Sequence, residues 1–231
     1  MTDTEPAPAV GDTAESIATM EIRGAATIAS AAAEALAEQA EAAAEADATA
    51  TDPAAFRASM RAAARTLHET RPTAVSLPNA LRYVLQRMEG DSVDRLRRSV
   101  VDASEAFVRQ LDRAQEDLGR VGANRLADGD TVMTHCHSTD ALACVEAAVK
   151  QGKTISAVVK ETRPRNQGHI TARELRALGV EVTLVVDSAA RRYLSDVDHV
   201  LVGADSIAAD GSVINKIGTS GLAVNARDRG T

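Results

Sequence analysis

Three short segments in the C-terminal half of the chain carry the side chains best suited to chemistry. In chain order they supply the thiol of Cys136, the carboxylate of Asp205, and the amide and ammonium groups of Asn215 and Lys216. A thiol and a carboxylate of different intrinsic pKa can divide between them a proton removal and a proton delivery, as the conversion of an aldose to a ketose requires. An amide and an ammonium group just before a helix form an anion site. The segments therefore predict acid–base chemistry on an anionic ligand.

Each of these residues also has a simpler interpretation. Cys136 lies between a predicted strand and a helix that should begin near Thr139, where helix-end N–H groups and the neighbouring imidazoles would lower the pKa of the thiol. The alternative for Cys136 is a small buried hydrophobe, which is what we predict for Cys144 inside the following helix. Asp205 could instead be a helix cap or a turn former, and Lys216 a solvated loop lysine.

No metal or cofactor is expected. Consecutive residues such as His135, Cys136 and His137 cannot easily turn three side chains onto one ion, and the paired spacing of zinc ligands is absent. The glutamate and paired cysteines of zinc deaminases are missing as well. The sequence also lacks a Gly-x-Gly-x-x-Gly segment after any strand and a Walker-type loop, which disfavours redox cofactors and ATP hydrolysis.

A second anion site is predicted in the N-terminal half. Residues 1–56 contain eleven acidic side chains and one basic side chain, that of Arg23. Gly24 beside it would let backbone N–H groups approach a phosphate. Arg71, just before Pro72, is a further candidate. Ordinary salt bridges are the alternative for both arginines. Two separated anion sites flanking an acid–base pair suggest a ligand with a phosphate at each end.

Composition limits the classes of function. The chain has 231 residues, 45% of them hydrophobic, but only 2% are aromatic and none is Trp. Stacking platforms for single-stranded nucleic acid are therefore scarce, and nucleic-acid binding is disfavoured. The two cysteines and the lack of any secretory or membrane-spanning segment predict a reduced cytoplasmic location without membrane association.

The N-terminal half reads as helical. We predict a disordered tail over residues 1–12 and a helical domain over residues 13–126. An Ala- and Glu-rich stretch over 14–47 is interrupted at Gly24, and Thr51-Asp52-Pro53 is typical of a cap before a helix that ends near Thr70. A turn at Leu77-Pro78 should precede a fourth helix, and a long helix should run from about Ser92 to Arg120.

Residues 127–231 read as a Rossmann-like α/β domain. Four short β-branched runs alternate with helices that end at Gly152 and Gly179, which indicates a parallel sheet; the runs are Thr131–Thr134, Thr154–Val159, Val182–Val186 and His199–Val202. Ligands bind beyond the carboxyl ends of such strands. The loops that follow the four strands, at 135–138, 161–163, 187–188 and 203–205, should therefore meet at one rim.

The quoted segments resemble those of the archaeal ribose-1,5-bisphosphate isomerases. That family is shared with methylthioribose-1-phosphate isomerase and with the alpha, beta and delta regulatory subunits of eukaryotic translation initiation factor 2B, and the resemblance extends from about Glu21 to about Ala226. The methylthioribose enzymes typically have Asn and Arg where this chain has His137 and Ser206. The regulatory subunits typically lack the cysteine–aspartate pair. An isomerase is therefore favoured, with a regulatory subunit or a methylthioribose-1-phosphate isomerase as the alternatives.

The resemblance implies a role for each matching residue. Cys136 would be the proton-abstracting base and Asp205 the proton donor in converting ribose 1,5-bisphosphate to ribulose 1,5-bisphosphate, a step of AMP salvage. Substrate contacts would come from Arg23, Gly24, Ala25, Ala26, Arg71, Ser138, Asn215 and Lys216. The resemblance also implies a homo-oligomer, a hexamer in this family, and a nucleotide activator. The family continues with further strands and another phosphate-contacting lysine, so the α/β domain is expected to be truncated at its C-terminus.

Overall fold

The computed structural model describes residues 8–45 and 52–231. The chain divides into two compact units, Met1–Asp112 and Arg113–Thr231. None of the described helices is both long and apolar enough to cross a membrane. The helix over Val93–Ala123 crosses the division between the units. The sequence instead predicts a domain boundary after that helix, at 126–127.

The first unit is helical, as predicted. Its helices are α1 (Pro8–Ala18), α2 (Ala25–Glu45), α3 (Pro53–Thr70), α4 (Ser76–Gln86) and the first two thirds of α5 (Val93–Ala123). The core combines large side chains such as Leu36, Met60 and Leu67 with fully buried alanines of α2, Ala32 and Ala33. Small residues on α2 take up little space between helices, so the first unit is built around a core with few aromatic residues.

Several helix boundaries follow from local chemistry. The Asp52 side chain caps α3 by accepting a hydrogen bond from the Ala54 N–H at 2.8 Å, and Pro53 occupies the first turn, as the sequence predicts. The predicted turn at Leu77-Pro78 is wrong, because both residues belong to the first turn of α4. Proline is tolerated there because the first turn has no carbonyl partner for its missing N–H.

The predicted disordered tail is corrected over residues 8–12, which are the start of α1. Val10 and Ile17 on this helix have no exposed surface, so burial of one apolar face stabilises a segment that looks polar when read alone. The remaining residues of the predicted tail, 1–7, lie outside the described part of the chain. So do Thr51 of the predicted cap and Asp47 at the end of the Ala-rich stretch.

The second unit is an α/β domain, which confirms the predicted fold class. Its strands β1 (Thr131–His135), β2 (Ser156–Lys160), β3 (Glu181–Val185) and β4 (His199–Val200) form a parallel sheet in the order β3-β2-β1-β4. Helices α6 (Thr139–Lys150), α7 (Gly168–Ala177), α8 (Ala190–Tyr193) and α9 (Thr219–Arg229) accompany them. A small antiparallel hairpin, β5 (Ser206–Ile207) and β6 (Val213–Ile214), precedes α9. All four predicted strands are present, although β4 is shorter than expected.

Both faces of the sheet are buried. Val132 and Val159 pack with Leu142 and Leu175 on one face, while Met133 on the other face belongs to a separate apolar cluster with Leu194 and Leu222. Adjacent strand residues point to opposite faces, so the continuous apolar runs in the sequence supply two cores at once.

Gly168 sets the distance between α7 and the end of β2. A Cβ atom at this position would overlap the carbonyl oxygen of Lys160, and the Gly168 N–H donates to the Glu161 carbonyl at 3.1 Å. The absence of a side chain therefore lets the start of α7 lie directly against the strand end.

Gly168→Ala should lower the free energy of unfolding by about 3 kcal/mol, because backbone atoms have to move to admit the methyl group. Gly221→Ala in α9 is the control, since nothing lies within 4 Å of its added Cβ. That change should be neutral or stabilise by roughly 0.5–1 kcal/mol. Urea unfolding of both variants would measure the difference, and equal stabilities would contradict the packing described for Gly168.

Candidate active site

Cys136 sits at the turn between β1 and α6 in a left-handed backbone conformation, with φ of 65°. The Ser138 side chain caps α6 by accepting a hydrogen bond from the Ala141 N–H at 3.2 Å. The helix begins at Thr139, as predicted. A non-glycine residue in this region is uncommon, so the conformation at Cys136 has to be held by its surroundings.

One segment of the chain, from Thr162 to Thr171, holds all three polar atoms of Cys136. The Cys136 N–H donates to Thr162 Oγ1 at 2.6 Å, and the Cys136 carbonyl accepts from Thr171 Oγ1 at 2.8 Å. The thiol donates to Gln167 Oε1 at 3.4 Å. The side chain of Cys136 is therefore aimed by the loop after β2 and by α7.

Asp187, in the turn after β3, is hydrogen-bonded to the loop after β2. Its carboxylate accepts from the Thr162 N–H at 3.1 Å and from the Arg163 N–H at 2.8 Å. Lys160 Nζ lies 4.0 Å from the same carboxylate, with only 6% of its side chain exposed. The loops after the first three strands thus meet at one rim, as predicted.

His135 connects the end of β1 to the start of α9. Its Nε2 lies 2.8 Å from Thr219 Oγ1, which donates to the Lys216 carbonyl at 2.6 Å and accepts from Asn215 Nδ2 at 3.1 Å. Because the Thr219 hydroxyl has only one proton to give, Nε2 is the donor to it. This network positions Asn215 and Lys216 beside the thiol loop.

The His135 imidazole is neutral at pH 7. Burial, reinforced by the charges of Lys160 and Lys216 and opposed by that of Asp187, lowers the pKa of His135 to about 4. His137 turns the other way, with Nδ1 3.1 Å from Thr171 Oγ1 and Nε2 3.9 Å from Glu174 Oε1. The two histidines thus contact different helices, and no group of three or more His, Cys, Asp or Glu side chains among the described residues could hold a metal ion.

The expectation of a lowered thiol pKa is wrong. Burial raises the pKa of Cys136 above its ordinary value, the Asp205 charge raises it further, and the His137 N–H and the Lys216 charge lower it. The neutral His135 ring supplies no positive charge that would stabilise a thiolate. Cys144 is buried, as expected, and burial raises the pKa of its thiol too.

Asp205 lies at the turn between β4 and the hairpin, where its backbone N–H donates to the Ile214 carbonyl at 2.8 Å. Its side chain is exposed. Nearby, a Cβ atom added at Gly203 would lie 2.6 Å from Ser138 Oγ and 3.9 Å from Asn215 Oδ1. The structure therefore brings five of the predicted site residues together within the second unit: Cys136, Ser138, Asp205, Asn215 and Lys216.

The other predicted site residues belong to the first unit. Arg23 and Gly24 lie in the loop between α1 and α2, Gly24 with φ of 90°, and Ala25 and Ala26 begin α2. Arg71 follows the last residue of α3. Within the described residues neither arginine forms an ion pair, so the salt bridges considered as their alternative are not present there. Their contact with substrate stays a prediction.

Sequence reasoning assigned no role to four residues of this site, although it placed Thr162 and Asp187 in two of the rim loops; the four are Lys160, Thr162, Gln167 and Asp187. A signal was present for Lys160, a charged residue at the end of an apolar strand in a chain with only four lysines. The others contact Cys136, or contact its partner Thr162, across 25 to 31 positions of sequence. The strand pattern predicts that these loops share a rim, but it does not predict which side chains in them form contacts.

The charges around the thiol predict opposite effects of two substitutions on Cys136 alkylation near neutral pH. Asp205→Asn should lower the pKa of Cys136 and speed its reaction with iodoacetamide, because only the thiolate reacts. Lys216→Ala should raise the pKa and slow the reaction. Peptide mass spectrometry would follow both cysteines, with Cys144 as the internal control. Changes of the same sign in both variants would contradict this electrostatic arrangement.

The sequence matches the Initiation factor 2 subunit family over residues 21–231. It is 72% identical to the ribose 1,5-bisphosphate isomerase of Haloferax volcanii over 97% of this chain and 68% of the relative. It is 68% identical to that of Haloterrigena turkmenica over 97% of this chain and 67% of the relative. A methylthioribose-1-phosphate isomerase of Syntrophotalea carbinolica is 39% identical over 71% of this chain and 52% of the relative. The chain thus spans about two thirds of the length of the first two.

Solved structures show the same fold. The 5-methylthioribose 1-phosphate isomerase of Pyrococcus horikoshii OT3 matches 96% of this chain and 64% of its own, with 34% identity and a TM-score of 0.82. Subunit delta of the translation initiation factor eIF-2B from A. fulgidus matches 96% of this chain and 67% of its own, with 33% identity and a TM-score of 0.80. The tetrameric eIF2B-beta2-delta2 complex from C. thermophilum matches 99% of this chain and 75% of its own, with 20% identity and a TM-score of 0.85.

The resemblance seen in the three chemical segments is thereby confirmed over nearly the whole sequence. With a family match that covers residues 21–231 and relatives at up to 72% identity, the chain belongs to the Initiation factor 2 subunit family, among its ribose-1,5-bisphosphate isomerase members.

Proposed function

We propose that the chain is an aldose–ketose isomerase that converts ribose 1,5-bisphosphate to ribulose 1,5-bisphosphate, with Cys136 as the base and Asp205 as the proton donor. The proposal is carried by one observation: the thiol of Cys136 is fixed at the rim of the sheet. There the Asp205 charge raises its pKa and the Lys216 charge lowers it. The 72% identity to a ribose 1,5-bisphosphate isomerase supports this substrate.

The reaction requires only proton movements and one ring opening. The C2–H and O2–H protons leave, C1 and the ring oxygen each gain a proton, and the bond between C1 and the ring oxygen breaks as C2 becomes a carbonyl. No atom is added or lost. A base at C2 and an acid beside C1, both held near the sugar, therefore suffice.

The electrostatics of the site couple the two proposed groups. The Asp205 carboxylate raises the pKa of Cys136, so the thiolate forms more readily when Asp205 is protonated. A thiolate with a protonated aspartate is the pair that the reaction needs at its start. Burial favours the thiol form of Cys136, and the Lys216 charge favours the thiolate.

We assign one phosphate to the start of α9. Gly218 at the N-cap has no side chain that could cap the helix, so the first-turn N–H groups that follow Thr219 can meet an anion. The N–H of Thr219 itself donates to the Lys216 carbonyl at 3.1 Å, and Asn215 and Lys216 lie beside this helix start. Ser138 would contact the sugar. Arg23, Gly24, Ala25, Ala26 and Arg71 are proposed to bind the other phosphate, in accordance with the family resemblance.

Methylthioribose-1-phosphate isomerase is the alternative enzyme. The relative of that activity is 39% identical, against 72% for the ribose-bisphosphate enzyme, and its substrate carries one phosphate rather than two. A regulatory subunit without catalysis would not need a cysteine whose N–H, carbonyl and thiol are each held by a different side chain. Comparing turnover of the two sugar phosphates by the purified chain distinguishes the three possibilities.

We further propose that the enzyme works in the cytoplasm, in nucleotide salvage from AMP. A homo-oligomer, hexameric as the family resemblance implies, and a nucleotide activator complete the proposal. Light scattering would measure the oligomeric state, and turnover with and without added AMP would test activation.

Cys136→Ala and Asp205→Asn should each lower kcat for ribose 1,5-bisphosphate by about 10²–10⁴-fold, because each removes one proton-transfer group. Cys144→Ala and Asp210→Asn are the matched controls. The first should cost only about 1 kcal/mol of stability, and Asp210 is a fully exposed residue of the hairpin loop. Turnover would be followed by formation of ribulose 1,5-bisphosphate. Full activity in either site variant would overturn the assigned roles.

Lys216→Ala should weaken binding of the bisphosphate by about tenfold to a hundredfold, because a charge-assisted contact worth roughly 1.5–3 kcal/mol is lost. Lys150→Ala, which removes an exposed lysine paired with Glu146 on α6, should leave the affinity unchanged. Isothermal titration with the Cys136→Ala background would measure binding without turnover. Equal losses in both variants would mean that only the overall charge matters.

A further inference from the structure

We propose that Thr162 is a positioning residue for the isomerisation: its hydroxyl oxygen holds the left-handed backbone of Cys136 and so aims the thiol, and Asp187 holds Thr162 in place. The inference rests on the proposed function, since it concerns the geometry of the proposed base. Neither residue is among those that the family resemblance assigns to the site.

Thr162 has a strained backbone conformation. Thr162 has φ of 62°, in the left-handed region, and only 4% of its surface is exposed. For a β-branched residue this region is a genuine outlier, with a cost of roughly 1–3 kcal/mol. Strain of this kind persists only where surrounding contacts impose it. Thr162 and Cys136 are thus two strained residues in direct contact.

The hydrogen bonds of the Thr162 hydroxyl are the second observation. Its proton goes to the Lys160 carbonyl at 3.1 Å, so a lone pair is available to accept the Cys136 N–H at 2.6 Å. The hydroxyl therefore bridges the end of β2 to the turn after β1. With its proton already committed to the backbone, it acts through Cys136 rather than on the substrate.

Asp187 supplies the third observation. Each of its two carboxylate oxygens accepts one backbone N–H, from Thr162 and from Arg163. Its negative charge is partly balanced by the buried Lys160 ammonium, 4.0 Å away. This arrangement holds the peptide groups on both sides of the Thr162 Cα atom. The strained conformation of Thr162 is therefore imposed from the turn after β3.

Gln167 and Thr171 complete the alignment but act on other atoms. They contact the thiol and the carbonyl of Cys136, whereas Thr162 fixes its N–H. The N–H contact restrains the backbone on the side from which the Cα–Cβ bond of Cys136 departs, next to its left-handed φ. Loss of this one oxygen should therefore redirect the thiol while leaving the substrate-binding residues in place.

The test compares Thr162→Val, which keeps the shape and removes the oxygen, with Thr162→Ser, which keeps the oxygen. For the valine variant we expect kcat to fall by about 10–100-fold with KM within about threefold, because misplacement of a reacting group by about 1 Å has effects of this size. The serine variant should retain at least about a third of the wild-type kcat. Thr183→Val, the same change at an exposed position of β3, should match the wild type.

A second readout does not depend on turnover. The rate of Cys136 alkylation by iodoacetamide should change in Thr162→Val relative to Thr162→Ser, while the rate at Cys144 stays constant in both. A purely structural role would instead change the melting temperature and both cysteine rates together. If the wild type does not convert ribose 1,5-bisphosphate, the proposed function fails, and the alkylation rates alone decide the positioning role.

The inference is overturned if folded Thr162→Val keeps the wild-type kcat and the wild-type Cys136 alkylation rate. It is also overturned if Thr162→Ser loses as much kcat as the valine variant. Should the valine variant fail to fold, Asp187→Asn replaces it. An amide offers only one acceptor oxygen for the two N–H groups, so kcat should fall in the same way, and wild-type kcat in that variant would overturn the proposal.

Discussion

The left-handed backbone at Cys136 is the constraint on which the site depends. A thiol at the end of a regular strand would point into one of the two cores, but the turn at φ of 65° brings it to the rim. The register of β1 against β2 makes this possible, because His135 pairs with Lys160 and Thr162 follows two residues later, within reach of Cys136. A register shift of one residue would turn the side chains of β2 to the wrong faces and remove Thr162 from that position. The orientation of the Cys136 thiol therefore depends on the register of the sheet.

Burial favours the neutral forms of two side chains in this site, the imidazole of His135 and the thiol of Cys136. His135 has a pKa of about 4, and burial favours the thiol of Cys136 over the thiolate. The charges of Lys160 and Lys216 both contribute to the lowered pKa of His135. A histidinium beside them would add to the charge repulsion. The neutral ring can instead donate one directed hydrogen bond that orders the start of α9.

The sequence predicted what local patterns determine. The strand positions, the start of α6 at Thr139 and the cap at Asp52 follow from periodicity and capping chemistry, and the rim follows from the parallel order of strands. The direction in which the pKa of Cys136 shifts could not be predicted from local patterns. The sequence shows that Cys136 precedes a helix start, but its burial, which raises the pKa, depends on distant parts of the chain. The contacts of Thr162, Gln167 and Asp187 join residues 25 to 31 positions apart, and the His135–Thr219 contact spans 84. Such pairs become visible only once the sheet is assembled.

Gly168 has a further consequence for how this fold can lose its chemistry. Its neighbour Gln167 contacts the thiol, and Thr171, one turn along the same helix, contacts the Cys136 carbonyl. Any side chain at 168 would push the start of α7 away from β2 and carry both contacts with it. A lineage could thus become a non-catalytic member of the family while its cysteine and aspartate remain in the sequence. Retention of that pair is therefore an incomplete criterion for activity, and the residue at this position should be inspected alongside it.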